Sequence, residues 1–226
     1  MSENEVKQLA ADAAIQLLPE EGVIGLGSGS TATLFINGVG RLVSGGRNLV
    51  GVPTSLASRQ QAEKLGIPLL SDSGPWKIDV CVDGADEVSS DLNLIKGGGG
   101  CHSREKIVND ASELNIIIVD ASKLSEHLGD KWAIPVEVLS FGHNSTAERL
   151  TQFGEVTLRQ RDGAAWKTDA GNYIYDVAAG TISDPNALDR TLKQVPGVVE
   201  TGLFIERADV VLVAEPGGVR ELRPLG

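Results

Sequence analysis

Between Asp83 and Lys106 the chain gathers two aspartates, a lysine, four consecutive glycines and a glutamate. They read D-G-A-D-E from Asp83 to Glu87 and K-G-G-G-G-C-H-S-R-E-K from Lys96 to Lys106. Clustered acids at the carboxyl end of a strand either ligate a hard cation or act on the hydroxyls and protons of a polar substrate. Glu87 is expected to face water, which leaves that work to Asp83 and Asp86. Lys96 can stabilise a phosphate or a developing enediolate, whereas a Schiff-base role requires a depressed pKa. The glycines that follow bring backbone amides close to a ligand, where they can donate to an oxyanion. Glu105 falls in the first turn of the next helix. A carboxylate beside an oxyanion site suits abstraction of a carbon-bound proton, and helix-dipole complementation is its plainer use. Arg104 and Lys106 are expected in ion pairs or on a solvated face, His102 in a structural role, and His127 and His143 at the surface.

A second glycine loop, G-L-G-S-G-S-T-A from Gly25 to Ala32, follows a strand and opens a helix. Its amides and the helix N-terminus form an anion site, to which Ser28, Ser30 and Thr31 add hydroxyls. A dinucleotide fingerprint would place glycine at Ser30 and an acid near Val52-Pro53-Thr54, and an ATP loop would continue as Gly-Lys-Ser/Thr. None of these is present, so a single phosphate fits better than NAD or ATP. The plainer reading is a tight turn with a serine cap.

The elements that must hold these loops alternate along the first part of the chain. An amphipathic helix carries Val6, Leu9, Ala10, Ala13, Ala14 and Leu17. Strands are expected at E-G-V-I-G-L, N-L-V-G-V-P-T, I-P-L-L, K-I-D-V-C-V-D and L-N-I-I-I-V-D, with helices between them. Apolar strands without strict alternation indicate a Rossmann-like, open and mainly parallel sheet with helices on both faces. After about Lys131 the order becomes β-α-β-β-α-β, with V-V-E-T-G-L-F-I as its last strand, the order of a ferredoxin-like unit. A last apolar run, A-D-V-V-L-V-A-E, resembles the earlier parallel strands. The expected division is therefore a catalytic domain of residues 1–130 and 206–226, interrupted by a smaller α+β domain of residues 131–205.

Composition narrows the partners. The 226 residues carry a net charge of -11, which argues against nucleic acid and anionic membrane surfaces. No apolar run reaches the roughly 18 residues of a membrane span, and the polar N-terminus lacks the apolar stretch of a signal peptide. The expected location is cytoplasmic. Cys81 and Cys101 are too few for a disulfide framework or a metal cluster and are expected to be reduced.

Taken together, G-L-G-S-G-S-T-A, D-G-A-D-E, K-G-G-G-G followed by R-E-K, and D-A-S-K from Asp120 to Lys123 resemble the type A ribose-5-phosphate isomerases, from the opening helix to the last strand. The resemblance implies interconversion of ribose 5-phosphate and ribulose 5-phosphate without metal or organic cofactor, in a homodimer or homotetramer. It implies that Ser28, Gly29, Ser30 and Thr31 bind the phosphate, with serine at 28 where the family usually has threonine. It assigns substrate contacts to Asp83, Gly84, Ala85 and Asp86, to Lys96, Gly97, Gly98 and Gly99, and to Lys123, with Lys7 as a further helper at the phosphate. Glu105 matches the general base, and Asp83, Asp86 and Lys96 complete the catalytic set. The smaller domain is expected to serve oligomerisation and to support an active-site lid. His102 and Ser103 depart from the family pattern, which commonly has an apolar residue and a threonine there. The competing readings are an amino-sugar phosphate deaminase-isomerase, which should place histidine near the catalytic acid, and a non-catalytic sugar-phosphate sensor, which should carry a basic DNA-binding helix-turn-helix.

Overall fold

The structure is a computed structural model that describes residues 1–224. Its elements begin with α1 (Glu3–Gln16), β1 (Glu21–Leu26), α2 (Ser30–Ser44), β2 (Asn48–Pro53), α3 (Leu56–Lys64), β3 (Ile78–Asp83), β4 (Glu87–Val88), β5 (Leu94–Ile95), α4 (His102–Asp110) and β6 (Ser112–Asp120). They continue with β7 (Ile134–Val138), α5 (His143–Leu150), β8 (Glu155–Leu158), β9 (Gln160–Arg161), β10 (Ala164–Ala165), β11 (Tyr173–Ala178), α6 (Pro185–Lys193), β12 (Val198–Thr201), β13 (Leu203–Phe204), β14 (Val210–Glu215) and β15 (Gly218–Leu222). Local chemistry sets several boundaries. Ser2 and Glu5 form a reciprocal capping box on α1, Ser55 caps α3, and Asp184 caps α6 with Pro185 in its first turn.

Contacts divide the chain into two units. The first comprises Met1–Ala85, Arg104–Lys123 and the chain from Arg207 onward, and the second Asp86–Ser103 and Leu124–Glu206. In the first unit the sheet order is β15-β14-β6-β3-β1-β2. All its neighbours pair in parallel except the edge strand β15, which returns antiparallel along β14. One face packs Ile24, Leu26, Val80, Val82, Ile116 and Ile118 against buried residues of α1, α2 and α3. The opposite face packs Val52 and Cys81 against Val108 of α4. Gly25 makes that second contact close: a Cβ there would stand 2.8 Å from the Cys81 Sγ and 2.9 Å from a Val108 methyl. The helix that carries Glu105 is thereby seated directly on the sheet.

The second unit contains an antiparallel sheet in the order β12-β7-β11-β8, the ferredoxin-like arrangement of its β-α-β-β-α-β chain order. Its core joins Ile134, Val136, Val138, Tyr175 and Val177 to Leu150 and Leu192 of α5 and α6. A small sheet, β13-β5-β4, accompanies it.

Several expectations change. I-P-L-L is not a strand: Pro68 has no amide to donate, and the segment only bridges β2 through Gly51, whose N donates to Pro68 O (2.7 Å) and whose O accepts from Leu70 N (3.0 Å). V-V-E-T-G-L-F-I divides at Gly202, where a Cβ would stand 2.2 Å from Lys96 O, so the two chains meet only because residue 202 is glycine. The boundary expected near residue 130 differs from the contact division, which places Asp86–Ser103 and Leu124 onward in the second unit. Pairing of β5 with β13 takes the first of these segments there. Glu87, expected in water, is fully buried in β4 and accepts from Gly129 N (2.8 Å) and Lys131 N (2.9 Å).

Ile118 is buried on β6 between β3 and β14. Ile118→Ala should lower unfolding free energy by about 2–5 kcal/mol, read from urea denaturation.

Candidate active site

In the first unit the turn after β1 is built around one carboxylate. Asp83, buried at the end of β3, accepts at Oδ1 from Ser28 N (2.9 Å) and from Gly84 N (2.8 Å). The approach demands glycine at position 27, where a Cβ would fall 2.3 Å from Asp83 Oδ1 and 2.6 Å from its Cα. Gly29, at φ +100°, then turns the chain into α2. No side chain caps α2 and no acid stands in its first turn, so its leading amides remain open to an anion beside Ser30 and Thr31. Ser28 is placed differently from expectation. Its hydroxyl bonds inward to Thr54 Oγ1 (2.8 Å) and Ser55 Oγ (2.7 Å), both buried, so it braces the turn. Gly84 and Ala85 follow, half-buried. Glu105 lies in the first turn of α4 and is only 5 % exposed, a carboxylate nearly withdrawn from water.

The D-A-S-K segment lies at the end of β6. Asp120 Oδ1 accepts from Ser122 N (2.9 Å) and from the Ser122 hydroxyl. Partial burial pushes this carboxyl up, but the two Ser122 bonds and the charges of Lys123 and Lys7 outweigh it and hold it below its ordinary value. Lys7 and Lys123 thus share one neighbourhood, with Lys7 Nζ also 2.5 Å from Glu3 Oε1.

In the second unit the four glycines form an ordered turn. Gly100 N donates to Gly97 O (2.9 Å), and Gly98 N donates to Asp86 Oδ2 (2.7 Å). Gly97 adopts φ +102°, and a Cβ there would stand 2.6 Å from His102 Nδ1. Gly99 is exposed, and a Cβ on it would meet no atom within 4 Å. Lys96 is 3 % exposed; its N donates to Gly202 O (2.8 Å), and its Nζ lies 5.4 Å from the centroid of the Phe204 ring. His102 is fully buried, with Nε2 3.3 Å from Glu200 O. Lys106 is buried, not solvated, and His143 is half-buried with Nδ1 2.6 Å from the Tyr175 hydroxyl. The structure so places Asp86 with Gly98, Ser28 with Asp83, and Lys7 with Asp120 and Lys123.

Two groups of contacts escaped the sequence. Arg159, just after β8, donates from Nη1 to Gly97 O (2.5 Å) and Gly98 O (3.2 Å). Glu137, buried on β7, accepts from the Ser103 hydroxyl, from Thr168 Oγ1 (2.7 Å) and from Asn172 Nδ2 (2.9 Å). Nothing local in R-Q or I-P-V-E-V connects either residue to the glycine segment. Among the described residues no cluster of three or more His, Cys, Asp or Glu could hold a metal ion.

The position of Asp120 sets a pH dependence. A folded-state pKa below the unfolded value of about 3.9 stabilises the protein above that value, and the contribution vanishes as pH falls through the folded pKa. Asp120→Asn should therefore melt earlier than the parent at neutral pH, with the difference closing below about pH 4 in thermal scans.

Residues 50–218 match the family model described as ribose 5-phosphate isomerase A (phosphoriboisomerase A). The ribose-5-phosphate isomerase A of Gloeobacter violaceus is 46 % identical over 221 residues, covering 97 % of this chain and 96 % of the relative. The solved ribose 5-phosphate isomerase A of Methanocaldococcus jannaschii superposes with a TM-score of 0.92 at 39 % identity, over 98 % of this chain and 100 % of that one. A D-ribose-5-phosphate isomerase solved in complex with phospho-erythronic acid superposes with a TM-score of 0.94 at 37 % identity, over 99 % and 100 %. The likeness extends along nearly the whole of both chains, and the protein belongs to the ribose 5-phosphate isomerase A family.

Proposed function

We propose that the protein interconverts D-ribose 5-phosphate and D-ribulose 5-phosphate through a cis-enediolate. The observation that carries this reading is the match to ribose-5-phosphate isomerases over almost the full length of both chains. The local geometry supports a role for each group. The open amides of α2, with Ser30 and Thr31, take the phosphate, while Ser28 and Asp83 hold the turn in shape. Lys7 and Lys123 add positive charge for the substrate. Asp83 assists ring opening by moving a proton between the ring oxygen and the C1 hydroxyl, and Asp86 orients substrate hydroxyls. Glu105 removes the C2 proton of the open aldehyde, and the electron pair left behind moves onto the carbonyl oxygen. Lys96 and the glycine amides stabilise that oxygen, the proton of the C2 hydroxyl passes to it, and Glu105 returns its own proton to C1 as the C2 oxygen becomes the ketone carbonyl. Glu105 stands ready for this task in the first turn of α4, nearly withdrawn from water.

We also assign the protein to the cytoplasm as a homodimer or homotetramer. No helix among the described residues is long and apolar enough to cross a membrane. Phe141, at 94 % exposure, with Leu139 and Val199, gives the second unit exposed apolar side chains of the kind that contacts between subunits cover.

Ribose 5-phosphate turned over in deuterium oxide should give ribulose 5-phosphate labelled at C1; absence of both label and ketose would remove the isomerase reading. Glu105→Gln should lower kcat by about 100- to 10,000-fold while sugar-phosphate binding changes little. Near-normal kcat in that variant would eliminate Glu105 as the base. Gly27→Ala, which forces the turn away from Asp83, should raise KM for ribose 5-phosphate more than tenfold by order of magnitude, and an unchanged KM would remove the turn from phosphate binding.

A further inference from the structure

Arg159 makes two kinds of contact within the second unit. One edge of its guanidinium, Nε and Nη2, forms a bidentate pair with Asp176 of β11, with Nε 2.9 Å from Oδ2. The remaining nitrogen, Nη1, reaches the carbonyls of Gly97 and Gly98. The group also lies over Trp166, 5.9 Å from the ring centroid, and its side chain is 11 % exposed. A planar fork with donors on both edges can do this. A lysine cannot reproduce it, because its three donors radiate from one nitrogen and do not pair bidentately with a carboxylate while reaching two carbonyls on the far side.

We propose that Arg159 is a positioning residue for the reaction, presenting the Gly99 amide to the enediolate oxygen. In a trans peptide the C=O of one residue and the N–H of the next point in opposite directions. With Gly98 O drawn to Arg159, the Gly99 N–H is turned away from it. That is the glycine at which an added Cβ would meet open space. The Gly98 amide is engaged by Asp86 and the Gly100 amide by Gly97 O, so the Gly99 amide, next to the carbonyl that Arg159 holds, is the donor this contact orients. A cation on a peptide carbonyl also polarises the attached N–H, strengthening its bond to an oxyanion. Asp176 keeps the guanidinium in plane and its fork aimed at the turn. The inference rests on the isomerase reading, since only a reaction that builds charge on a substrate oxygen makes use of such a donor.

The test compares Arg159→Met, Arg159→Lys and Asp176→Asn with the parent in ribose 5-phosphate turnover. Arg159→Met should lose about 10- to 100-fold in kcat with KM within about threefold, because the missing donor acts mainly on the transition state. Arg159→Lys should lose nearly as much, and serves as the readout if the methionine variant does not fold. Asp176→Asn should lose less, in the same direction. Millimolar guanidinium should restore part of kcat to Arg159→Ala and none to Glu105→Gln. A kcat within about twofold of the parent in Arg159→Met, or a rise in KM at constant kcat, would overturn the proposal. Loss of thermal stability with unchanged kcat per folded enzyme would reduce Arg159 to a structural residue. A parent enzyme with no turnover would remove the isomerase reading itself, whereas an active parent with an unaffected Arg159→Met removes only the positioning role.

Discussion

Ordering four successive glycines costs backbone entropy, about 1–2 kcal/mol for each residue fixed and somewhat more for glycine. The turn from Gly97 to Gly100 therefore depends on contacts from outside itself. Asp86 takes the Gly98 amide, Arg159 takes two carbonyls, and Gly202 receives the amide of Lys96 just before the turn. His102 fills the space beneath Gly97. Each of these groups uses the bare backbone differently, and together they turn a segment that composition alone would describe as a flexible linker into a fixed array of amides. The cation–π contact of Lys96 with Phe204 adds a preferred direction for the one charge at its entrance.

The turn after β1 meets the same requirement by another route. It has a single positive-φ glycine, Gly29, and a single close approach, Gly27 on Asp83. Its rigidity comes from a serine whose hydroxyl is committed to Thr54 and Ser55. A hydroxyl spent on the protein is unavailable to a phosphate, which separates holding the turn (Ser28) from binding through it (Ser30, Thr31 and the helix amides). Serine at position 28 supplies that hydroxyl without the methyl group a threonine would add.

Apolar runs and glycine spacing made most of the fold legible in the sequence, because parallel strands buried on both faces and amphipathic helices write themselves into consecutive residues. D-G-A-D-E, K-G-G-G-G and the first turn of α4 were legible for the same reason. What stayed hidden depends on partners distant along the chain. Glu87 is an acid in an acidic cluster until the amides of Gly129 and Lys131 are seen to saturate it. Arg159 and Asp176 look like unrelated charges until β8 and β11 pair. The strand expected at I-P-L-L failed on Pro68, and the one expected across Gly202 failed on the passage of Lys96 beside it. Two-residue strands such as β4, β5 and β13 carry too little periodicity to be read at all.

The bond between Lys96 and Gly202 has a consequence for synthesis. A ribosome releases the glycine segment long before the residues that fix it, since Arg159, Asp176 and Gly202 all belong to later parts of the chain. Early strands and helices can pair as they emerge, but the amide array waits for distant contacts to close. An unfinished chain is therefore chemically silent, and a truncation anywhere before β13 would remove the turn's order even where every residue expected to touch substrate is already in place.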